Sequence, residues 1–255
     1  MPAHSSIVIV PTFNEKENIE LLLQAILSLP VSFDVLIVDD NSPDGTADLV
    51  REAQDKFPDR IHLLERPGKQ GLGTAYIAGF RYALERDYEY IFEMDADFSH
   101  DPEDLVRLYE ACVKDGYDMA IGSRYVTGVN VVNWPIKRVL ISYYASYYVR
   151  LITGMPFRDA TAGFKCYHRK VLRAINPDRL QFVGYAFQIS MKFNAWKHGF
   201  KITEVPIIFT DRTRGISKMS SKIFWEAFGG VIVLKVKSWF RKYPAATVGS
   251  SSPQQ

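Results

Sequence analysis

The sequence predicts an α/β protein with a mostly parallel sheet and helices on both of its faces. Three observations support this prediction. Short, continuously apolar, β-branched segments recur, clearest at 7–10 and 35–38, and such segments suit strands buried on both faces. Stretches of helical periodicity lie between them. Polar, turn-forming residues follow the segments, as in repeated βαβ units.

The elements can be assigned in order along the chain. Periodicity predicts a helix after each early strand, and the first is expected to begin at Asn14, which has capping-box spacing to Glu17. Pro11 is expected to end the first strand, and Pro206 indicates that the last strand lies at a sheet edge. The predicted strands are 7–10, 35–38, 61–64, 90–94, 119–122, 163–167 and 202–209.

Length and composition exclude several classes of protein. With 255 residues, 47% of them apolar, the chain is long enough for one large globular domain. Cys112 and Cys166 lie far apart in apolar runs, which favours reduced structural thiols over a disulfide framework. No segment reaches the roughly 18 apolar residues of a membrane-spanning helix, and residues 1–5 do not resemble a signal peptide. We therefore expect a cytoplasmic protein.

Charge is distributed unevenly along the chain. The sequence has 31 basic and 29 acidic residues, yet residues 212–242 carry eight Lys/Arg and a single acid, Glu226. Such a segment suits contact with phosphates or an anionic membrane, and no nucleic-acid partner is expected. The predicted division is a main domain at 1–218, an amphipathic membrane-interface helix at 219–243 and a disordered tail at 244–255.

Asp95 and Asp97 are the leading candidates for metal binding. They come directly after the apolar strand predicted at 90–94, and alternate residues of an extended chain point the same way. Both carboxylates are therefore expected at the carboxyl end of a strand, where open α/β sheets bind their ligands. Oxygen ligands of this kind suit Mg²⁺ or Mn²⁺. The alternative is a polar strand end that leads into a helix.

Other strand ends bring functional side chains to the same edge. The residues concerned are Pro11, Phe13 and Glu15 after the first strand, and Asp39 and Asp40 after the second. With the loop at 123–125, they predict a crevice for a nucleotide and its metal ion. Farther along, Arg212, Arg214 and Lys218 surround Gly215 and are suited to bind a diphosphate.

An aromatic stripe at helical spacing runs from Val139 to Leu151 and includes Tyr143, Tyr144 and Tyr147. Stripes of this kind more often pack into a protein core than bind a ligand. Because tyrosine also favours the interfacial layer of a membrane, membrane contact is the alternative interpretation.

Six motifs together resemble those of a known family. They are Pro-Thr-Phe-Asn-Glu at 11–15, Val-Asp-Asp-Asn-Ser-Pro-Asp-Gly-Thr at 38–46, Gly-Leu-Gly-Thr-Ala-Tyr at 71–76, Met-Asp-Ala-Asp-Phe-Ser-His at 94–100, Gly-Ser-Arg-Tyr at 122–125 and Asp-Arg-x-x-Gly-x-Ser-Lys at 211–218. The set resembles the dolichol-phosphate (polyprenol-monophosphate) mannose synthases of glycosyltransferase family 2. The resemblance implies a GT-A fold, which contains a Rossmann-like sheet, and GDP-mannose as the donor.

The resemblance also implies roles for individual residues. The implied guanosine-binding residues are Pro11, Phe13, Glu15, Ile37 and Asp39. The implied catalytic set is Asp95 and Asp97 for the metal ion and donor, with Ala96 between them, and Arg124, Arg212 and Lys218 for the phosphates. Two positions depart from the family pattern. Phe13 stands where Tyr is frequent, and Ser190 stands where relatives commonly have Glu.

The expected reaction is an inverting transfer of mannose from GDP-mannose to dolichyl or polyprenyl phosphate, at the cytoplasmic face of a membrane to which the enzyme is peripherally attached. Two alternatives remain. In the first, the donor is UDP-glucose instead of GDP-mannose, since selectivity for the nucleotide base depends on a few groups near Asp39. Otherwise the protein is a non-catalytic sugar-nucleotide sensor or membrane adaptor, an interpretation that Ser190 motivates.

Overall fold

A seven-stranded sheet organises the chain, and the computed structural model describes residues 5–180, 184–211 and 221–244. The strands are β1 (Ser6–Thr12), β2 (Asp34–Asp39), β3 (Ile61–Glu65), β4 (Tyr90–Glu93), β5 (Met119–Ser123), β6 (Val131–Val132), β7 (Lys165–His168), β8 (Ile202–Pro206) and β9 (Phe209–Thr210). The helices are α1 (Ile19–Leu27), α2 (Thr46–Lys56), α3 (Leu72–Glu85), α4 (Asp104–Val113), α5 (Ile136–Thr153), α6 (Arg169–Ile175), α7 (Tyr185–Lys197) and α8 (Ser221–Phe240), with a 3-10 turn at Pro177–Arg179.

The main sheet has the strand order β3-β2-β1-β4-β7-β5-β8. Only β7 runs antiparallel to its neighbours, β4 and β5, so the prediction of a mostly parallel sheet is confirmed. The predicted edge position of Pro206 is also confirmed, because β8 is the last strand of the order. Strands β6 and β9 pair separately, as a two-stranded parallel sheet.

Helices cover both faces of the sheet because β1 is apolar on both sides. Ile7 and Ile9 belong to one buried cluster, whereas Val8 and Val10 belong to the cluster on the opposite face. Full burial of each such side chain contributes about 1.5–3 kcal/mol. On one face α3 approaches closely at Gly79, where a Cβ atom would lie 2.5 Å from Ile9 Cγ2. This position requires glycine for the packing, not for a special backbone angle.

Two local predictions at the first strand are wrong. Strand β1 does not end at Pro11 but continues to Thr12. Met94 N donates to Ile9 O, so the backbone polar groups of Ile9 point towards β4. Those of Pro11, two residues later, point to the same side, but β4 has already ended there. The missing N–H of Pro11 therefore costs no ladder bond. The capping box is also absent, because α1 begins at Ile19 and Asn14 has a φ of 56°.

Helix α8 packs against the rest of the domain through one face. Val231 and Leu234 are buried, the ring of Phe228 stacks on Tyr148 with centroids 4.2 Å apart, and Lys235 Nζ donates to Thr153 O at 3.0 Å. This helix covers most of the segment predicted at 219–243. Most of the tail predicted at 244–255 lies outside the described residues. Within the described ranges, no helix combines the length and the apolar character needed to cross a membrane.

Candidate active site

Asp39 is held at the carboxyl end of β2 by its neighbours. Its Oδ1 accepts from Thr12 Oγ1 at 2.8 Å and from Ser42 Oγ at 2.6 Å, and its Oδ2 accepts from the backbone N–H of Ser42 at 2.8 Å. Because β1 and β2 pair in parallel with Thr12 opposite Asp39, the sheet itself brings these groups together. The carboxylate is fully buried and has a fixed orientation.

Asp40 has a partner that the sequence did not indicate. Arg66 Nε donates to Asp40 Oδ1 at 2.6 Å, and Arg66 Nη1 donates to Thr74 Oγ1 at 2.7 Å. Burial raises the pKa of Asp40, and Arg66 opposes that rise. Arg66 thus ties the end of β2 to the start of α3, on the nucleotide side of the predicted crevice.

Asp95 and Asp97 lie in the loop after β4 and not in an extended strand. The strand ends at Glu93, so the alternation from which their common face was predicted does not extend to them. They nevertheless lie in one neighbourhood. Tyr76 Oη donates to Asp95 Oδ1 at 3.4 Å, and burial followed by the charges of Asp95, Glu93 and Asp97 raises the pKa of Tyr76.

His100 packs against the loop that carries Asp95 and Asp97 and hydrogen-bonds to its backbone. Its ring stacks on Phe164 with centroids 4.7 Å apart, and its Nδ1 accepts the backbone N–H of Asp95 at 3.3 Å. Burial lowers the pKa of His100 to about 4, while Asp97 raises it and Arg124 lowers it. The imidazole is therefore neutral near pH 7 and can act as an acceptor. The same interactions place Asp97 and Arg124 near one another.

The donor set suits a divalent cation that is shared with a substrate. Asp97 Oδ1 accepts the backbone N–H of Ser99 at 3.0 Å, which fixes that carboxylate. Within the described part of the chain, no group of three or more His, Cys, Asp or Glu side chains has metal-binding geometry. Mg²⁺ and Mn²⁺ accept one or two carboxylates and complete their shell with water and phosphate oxygens, so the pair fits such an ion.

A buried layer of paired charges lies directly behind the loop. Lys165 Nζ lies 3.0 Å from Glu93 Oε2, and both side chains are fully buried. Tyr167 Oη donates to Glu93 Oε1 at 2.7 Å, Gln188 Nε2 donates to Glu93 Oε2 at 2.8 Å, and Lys165 also donates to Gln188. The sequence offered a signal for this layer, because charged residues inside apolar strands are rarely buried unless paired.

Arg124 is in a buried ion pair. Its Nε donates to Asp159 Oδ2 at 2.7 Å and its Nη2 to Asp159 Oδ1 at 2.7 Å, and Nη2 also donates to Thr161 Oγ1 at 2.8 Å. The predicted phosphate ligand therefore has one side of its guanidinium committed to protein groups. Sequence reasoning missed Asp159, because no local pattern links positions 35 residues apart.

The remaining predicted residues have varied positions. Phe13 lies at the end of β1 with Lys69 Nζ 5.2 Å from its ring centroid. Glu15 Oε2 accepts from Asn18 Nδ2 at 3.0 Å. Ile37 and Ala96 have buried side chains in the apolar core, so any contact with a nucleotide would come from their backbone. The cations Arg212, Arg214 and Lys218 lie outside the described residues.

A second region near the site is apolar and exposed. The outer face of α5 presents Ile136, Leu140, Tyr144, Tyr147 and Leu151, and the outer face of α8 presents Ile232, Val236, Trp239 and Phe240. We call these nine residues the outer apolar surface. Tyr144 is 62% exposed and Trp239 is 69% exposed. The expectation that the tyrosine stripe packs into the core is wrong for Tyr143, Tyr144 and Tyr147, which are all exposed.

Tyr125 links Arg124 to helix α5, which carries five of the nine residues of the outer apolar surface. Tyr125 follows Arg124 and is buried. Its hydroxyl donates to Ser142 Oγ of α5 at 2.8 Å, and its ring meets Tyr143 edge-on with centroids 5.6 Å apart. The carboxyl end of β5 and helix α5 are thus in direct contact.

Ser190 is buried in α7 and bonds within its own helix. Its Oγ donates to Phe187 O at 2.8 Å. Cys112 and Cys166 are buried free thiols that form no disulfide with each other, as the composition predicted.

Comparison with known proteins identifies the family. Residues 7–175, about two thirds of the chain, match the family described as Glycosyl transferase family 2. The chain belongs to glycosyltransferase family 2. It is 44% identical over 238 residues to a polyprenol monophosphomannose synthase of Mycolicibacterium smegmatis, covering 93% of this chain and 88% of the relative. It is 46% identical over 235 residues to an undecaprenyl-phosphate mannosyltransferase of Micrococcus luteus, covering 91% and 93%.

Solved structures support the fold of this transferase. A glucosyl-3-phosphoglycerate synthase of Mycobacterium tuberculosis with Mn²⁺, UDP and glucosyl-3-phosphoglycerate matches with a TM-score of 0.64 at 14% identity, over 91% of this chain and 80% of that one. A mannosyltransferase of Pyrobaculum calidifontis with GDP-Man and Mn²⁺ matches with a TM-score of 0.56 at 18% identity, over 90% and 69%. The predicted GT-A fold, the resemblance and the prediction of a glycosyltransferase are confirmed.

Proposed function

We propose that this enzyme transfers mannose from GDP-mannose to the phosphate of a polyprenyl lipid, with inversion at the anomeric carbon. The observation that carries the proposal is the contact through Tyr125 between Arg124 and α5, which places the helix that presents five residues of the outer apolar surface beside the carboxylate-lined crevice. One region suits a charged nucleotide sugar and the other suits a lipid. The two relatives that are 44% and 46% identical are named for mannose transfer to polyprenol carriers.

In this proposal the crevice binds the donor through groups at three strand ends. Pro11, Phe13, Glu15 and Asp39 contact the guanosine, Asp95 and Asp97 hold Mg²⁺ or Mn²⁺, and Arg212 and Lys218 bind the diphosphate. The cation supplies neutralisation of the charge that develops on the departing GDP. The fixed hydrogen bonds of Asp39 and Asp97 support the assignment of these two residues to donor binding, because preorganised groups need no rearrangement during the reaction.

The acceptor needs little help from a general base. A lipid phosphate is already anionic near pH 7, so its oxygen can attack the anomeric carbon from the face opposite to GDP. The chain then contributes mainly by positioning the two substrates. The hydrogen bonds of His100 and Asp39 support this account, because His100 Nδ1 already accepts the backbone N–H of Asp95 and both carboxylate oxygens of Asp39 accept protein hydrogen bonds.

The outer apolar surface is proposed to contact the cytoplasmic face of a membrane. Its two helices carry Lys137 and Arg150 on α5 and Lys237 on α8, with no acidic residue on α5. Apolar and aromatic side chains bury in the interfacial layer, and each nearby cation adds on the order of 1 kcal/mol at an anionic surface.

A donor panel tests the proposed function. Purified protein is incubated with polyprenyl phosphate in vesicles, Mg²⁺ or Mn²⁺, and radiolabelled GDP-mannose or UDP-glucose. We expect labelled lipid from GDP-mannose alone, with a β-anomeric product by NMR. Turnover of UDP-glucose instead would overturn the donor assignment. Binding of GDP-mannose by calorimetry with no labelled lipid from any acceptor would favour a sensor or adaptor.

A further inference from the structure

The guanidinium of Arg124 is restrained on several sides. Asp159 accepts hydrogen bonds from both Nε and Nη2, and Thr161 Oγ1 accepts a further one from Nη2. Three aromatic rings also surround it, with its Cζ atom between 5.2 and 5.6 Å from their centroids, namely those of Tyr125, Trp134 and Phe209. Since the guanidinium is planar and rigid, fixing Nε and Nη2 also fixes the direction of the Nη1 donors.

Asp159, which orients this group, does not lie in a strand or helix. It is fully buried, and burial alone would raise its pKa. The charges of Arg124 and Lys192 outweigh burial and hold the pKa of Asp159 below its usual value. The carboxylate is therefore ionised, and its position depends on what holds the backbone of its loop.

Glu204 holds that loop. It lies on β8 opposite Ile121 of β5. Its Oε1 accepts the backbone N–H of Asp159 at 2.8 Å, and its Oε2 accepts the backbone N–H of Arg158 at 2.7 Å. Oε1 also accepts Ser123 Oγ at 2.8 Å. The Glu204 carboxylate thus connects Ser123, which precedes Arg124, to Asp159, which accepts hydrogen bonds from the Arg124 side chain.

We propose that Glu204 is a positioning residue for the transfer reaction, because it fixes the spacing between Ser123 and Asp159 and thereby directs Arg124 at a substrate phosphate. This inference rests on the proposed function. A glutamine at this position retains one acceptor oxygen and places an amide near a backbone donor. Such a change would let the 158–159 loop shift and would turn the guanidinium of Arg124 away from its present direction.

A double-mutant cycle separates positioning from simple support of the fold. The variants are Glu204→Gln, Arg124→Lys and the two combined. We expect Glu204→Gln to lower kcat/KM about 10- to 100-fold, the size of effect that a small misplacement produces. In the Arg124→Lys background, which has no fork to direct, the same change should lower kcat/KM by less than about twofold. An equal loss in both backgrounds would overturn the proposal.

Glu65→Gln is the matched control, because Glu65 is an exposed carboxylate at the end of β3 that pairs with Arg51. It should leave kcat/KM unchanged in either background. If Glu204→Gln does not fold, the cycle is repeated with Glu204→Asp, which keeps the charge but retracts the carboxylate by one methylene. The same pattern of losses is then expected, and equal losses would again overturn the proposal.

A second readout does not depend on catalysis. In NMR spectra of the ¹⁵N-labelled protein, a forked guanidinium should give resolved Nη signals, and Arg124→Lys assigns those of Arg124. We expect Glu204→Gln, but not Glu65→Gln, to merge them. Unchanged signals would overturn the proposal. Absence of transfer by the wild-type protein would instead count against the proposed function.

Discussion

The carboxyl edge of the sheet and the outer apolar surface are built in opposite ways. At the sheet edge, charged groups such as Asp39, Arg124 and Lys165 are buried, and each has named hydrogen-bonding partners. On the outer apolar surface, Leu151 is 69% exposed although it is apolar. The sheet edge buries charged groups, which water solvates well, whereas the outer apolar surface exposes apolar side chains, which are normally kept away from water.

This difference indicates two kinds of ligand. Buried, paired charges keep their orientation at the cost of desolvation, which is useful where a charged substrate must be held in one geometry. Contiguous exposed apolar residues are typical of surfaces that bind another apolar phase. If the two regions serve different substrates, changes in one should leave the function of the other intact.

The largest expected effect comes from Asp97. Asp97→Asn removes a charge from the proposed metal pair, and we expect kcat to fall at least about 1,000-fold, because charge stabilisation at the leaving group would be lost. Chelation of divalent cations with EDTA should produce a similar loss that added Mg²⁺ or Mn²⁺ reverses.

Asp115→Asn is the control for Asp97, since Asp115 is exposed and lies beyond the end of α4. It should keep wild-type activity. Near-normal mannose transfer by folded Asp97→Asn would remove the metal assignment, whatever the donor.

The next largest effect concerns stability. Lys165→Met leaves Glu93 buried without its cation, and breaking a buried pair in this way costs about 3–5 kcal/mol. Urea denaturation should show a loss of that order in the free energy of unfolding. The double variant Glu93→Gln with Lys165→Met removes both charges and should recover much of the loss. If the single variant is as stable as the wild type, the layer behind the metal loop does not depend on charge pairing.

A smaller effect is expected on the outer apolar surface. Tyr144→Ser with Leu151→Ser removes two exposed side chains from α5, and partial burial of the pair is worth on the order of 1–2 kcal/mol. Binding to vesicles that contain anionic phospholipid should weaken about tenfold, whereas GDP-mannose affinity should not change.

Leu21→Ser is the matched control for this surface, because Leu21 is an exposed leucine on α1. It should not alter vesicle binding. Equal weakening by both changes would mean that exposed leucines contribute without regard to position, and the outer apolar surface would lose its special role.

The smallest effect should come from Ser190. Its hydroxyl bonds only to Phe187 O among the hydrogen bonds described, so Ser190→Ala should change kcat by less than about twofold. A loss of more than tenfold, measured in the same transfer assay, would assign this serine a direct part in the reaction.

The sequence allowed the nucleotide half of the molecule to be predicted better than the rest. Apolar runs located β1 and β2, and their ends located Asp39, because strand burial and chain direction are local properties. The predicted start of α1 is wrong because contacts between distant positions decide it. Ser42 and Thr46, from the next βα turn, accept the backbone N–H groups of Asn14 and Glu15, so no capping box is needed.

The second half depended on contacts between distant positions. Arg124 pairs with Asp159 and Ser123 bonds to Glu204, which are 35 and 81 positions apart. Periodicity placed Tyr144 and Tyr147 correctly on a helix, but it could not decide between a core and an exposed face. That outcome depends on what packs against α5, and α8 covers only part of it.

The most direct test compares two acceptors in one assay. Wild-type protein, Asp97→Asn and the Tyr144→Ser, Leu151→Ser variant are each given long-chain polyprenyl phosphate in vesicles and a short-chain, water-soluble prenyl phosphate, with GDP-mannose as donor. We predict that Asp97→Asn loses transfer to both acceptors, and that the α5 variant loses transfer to the vesicle acceptor alone. An α5 variant that loses both activities equally, or neither, would contradict the separation of the two regions.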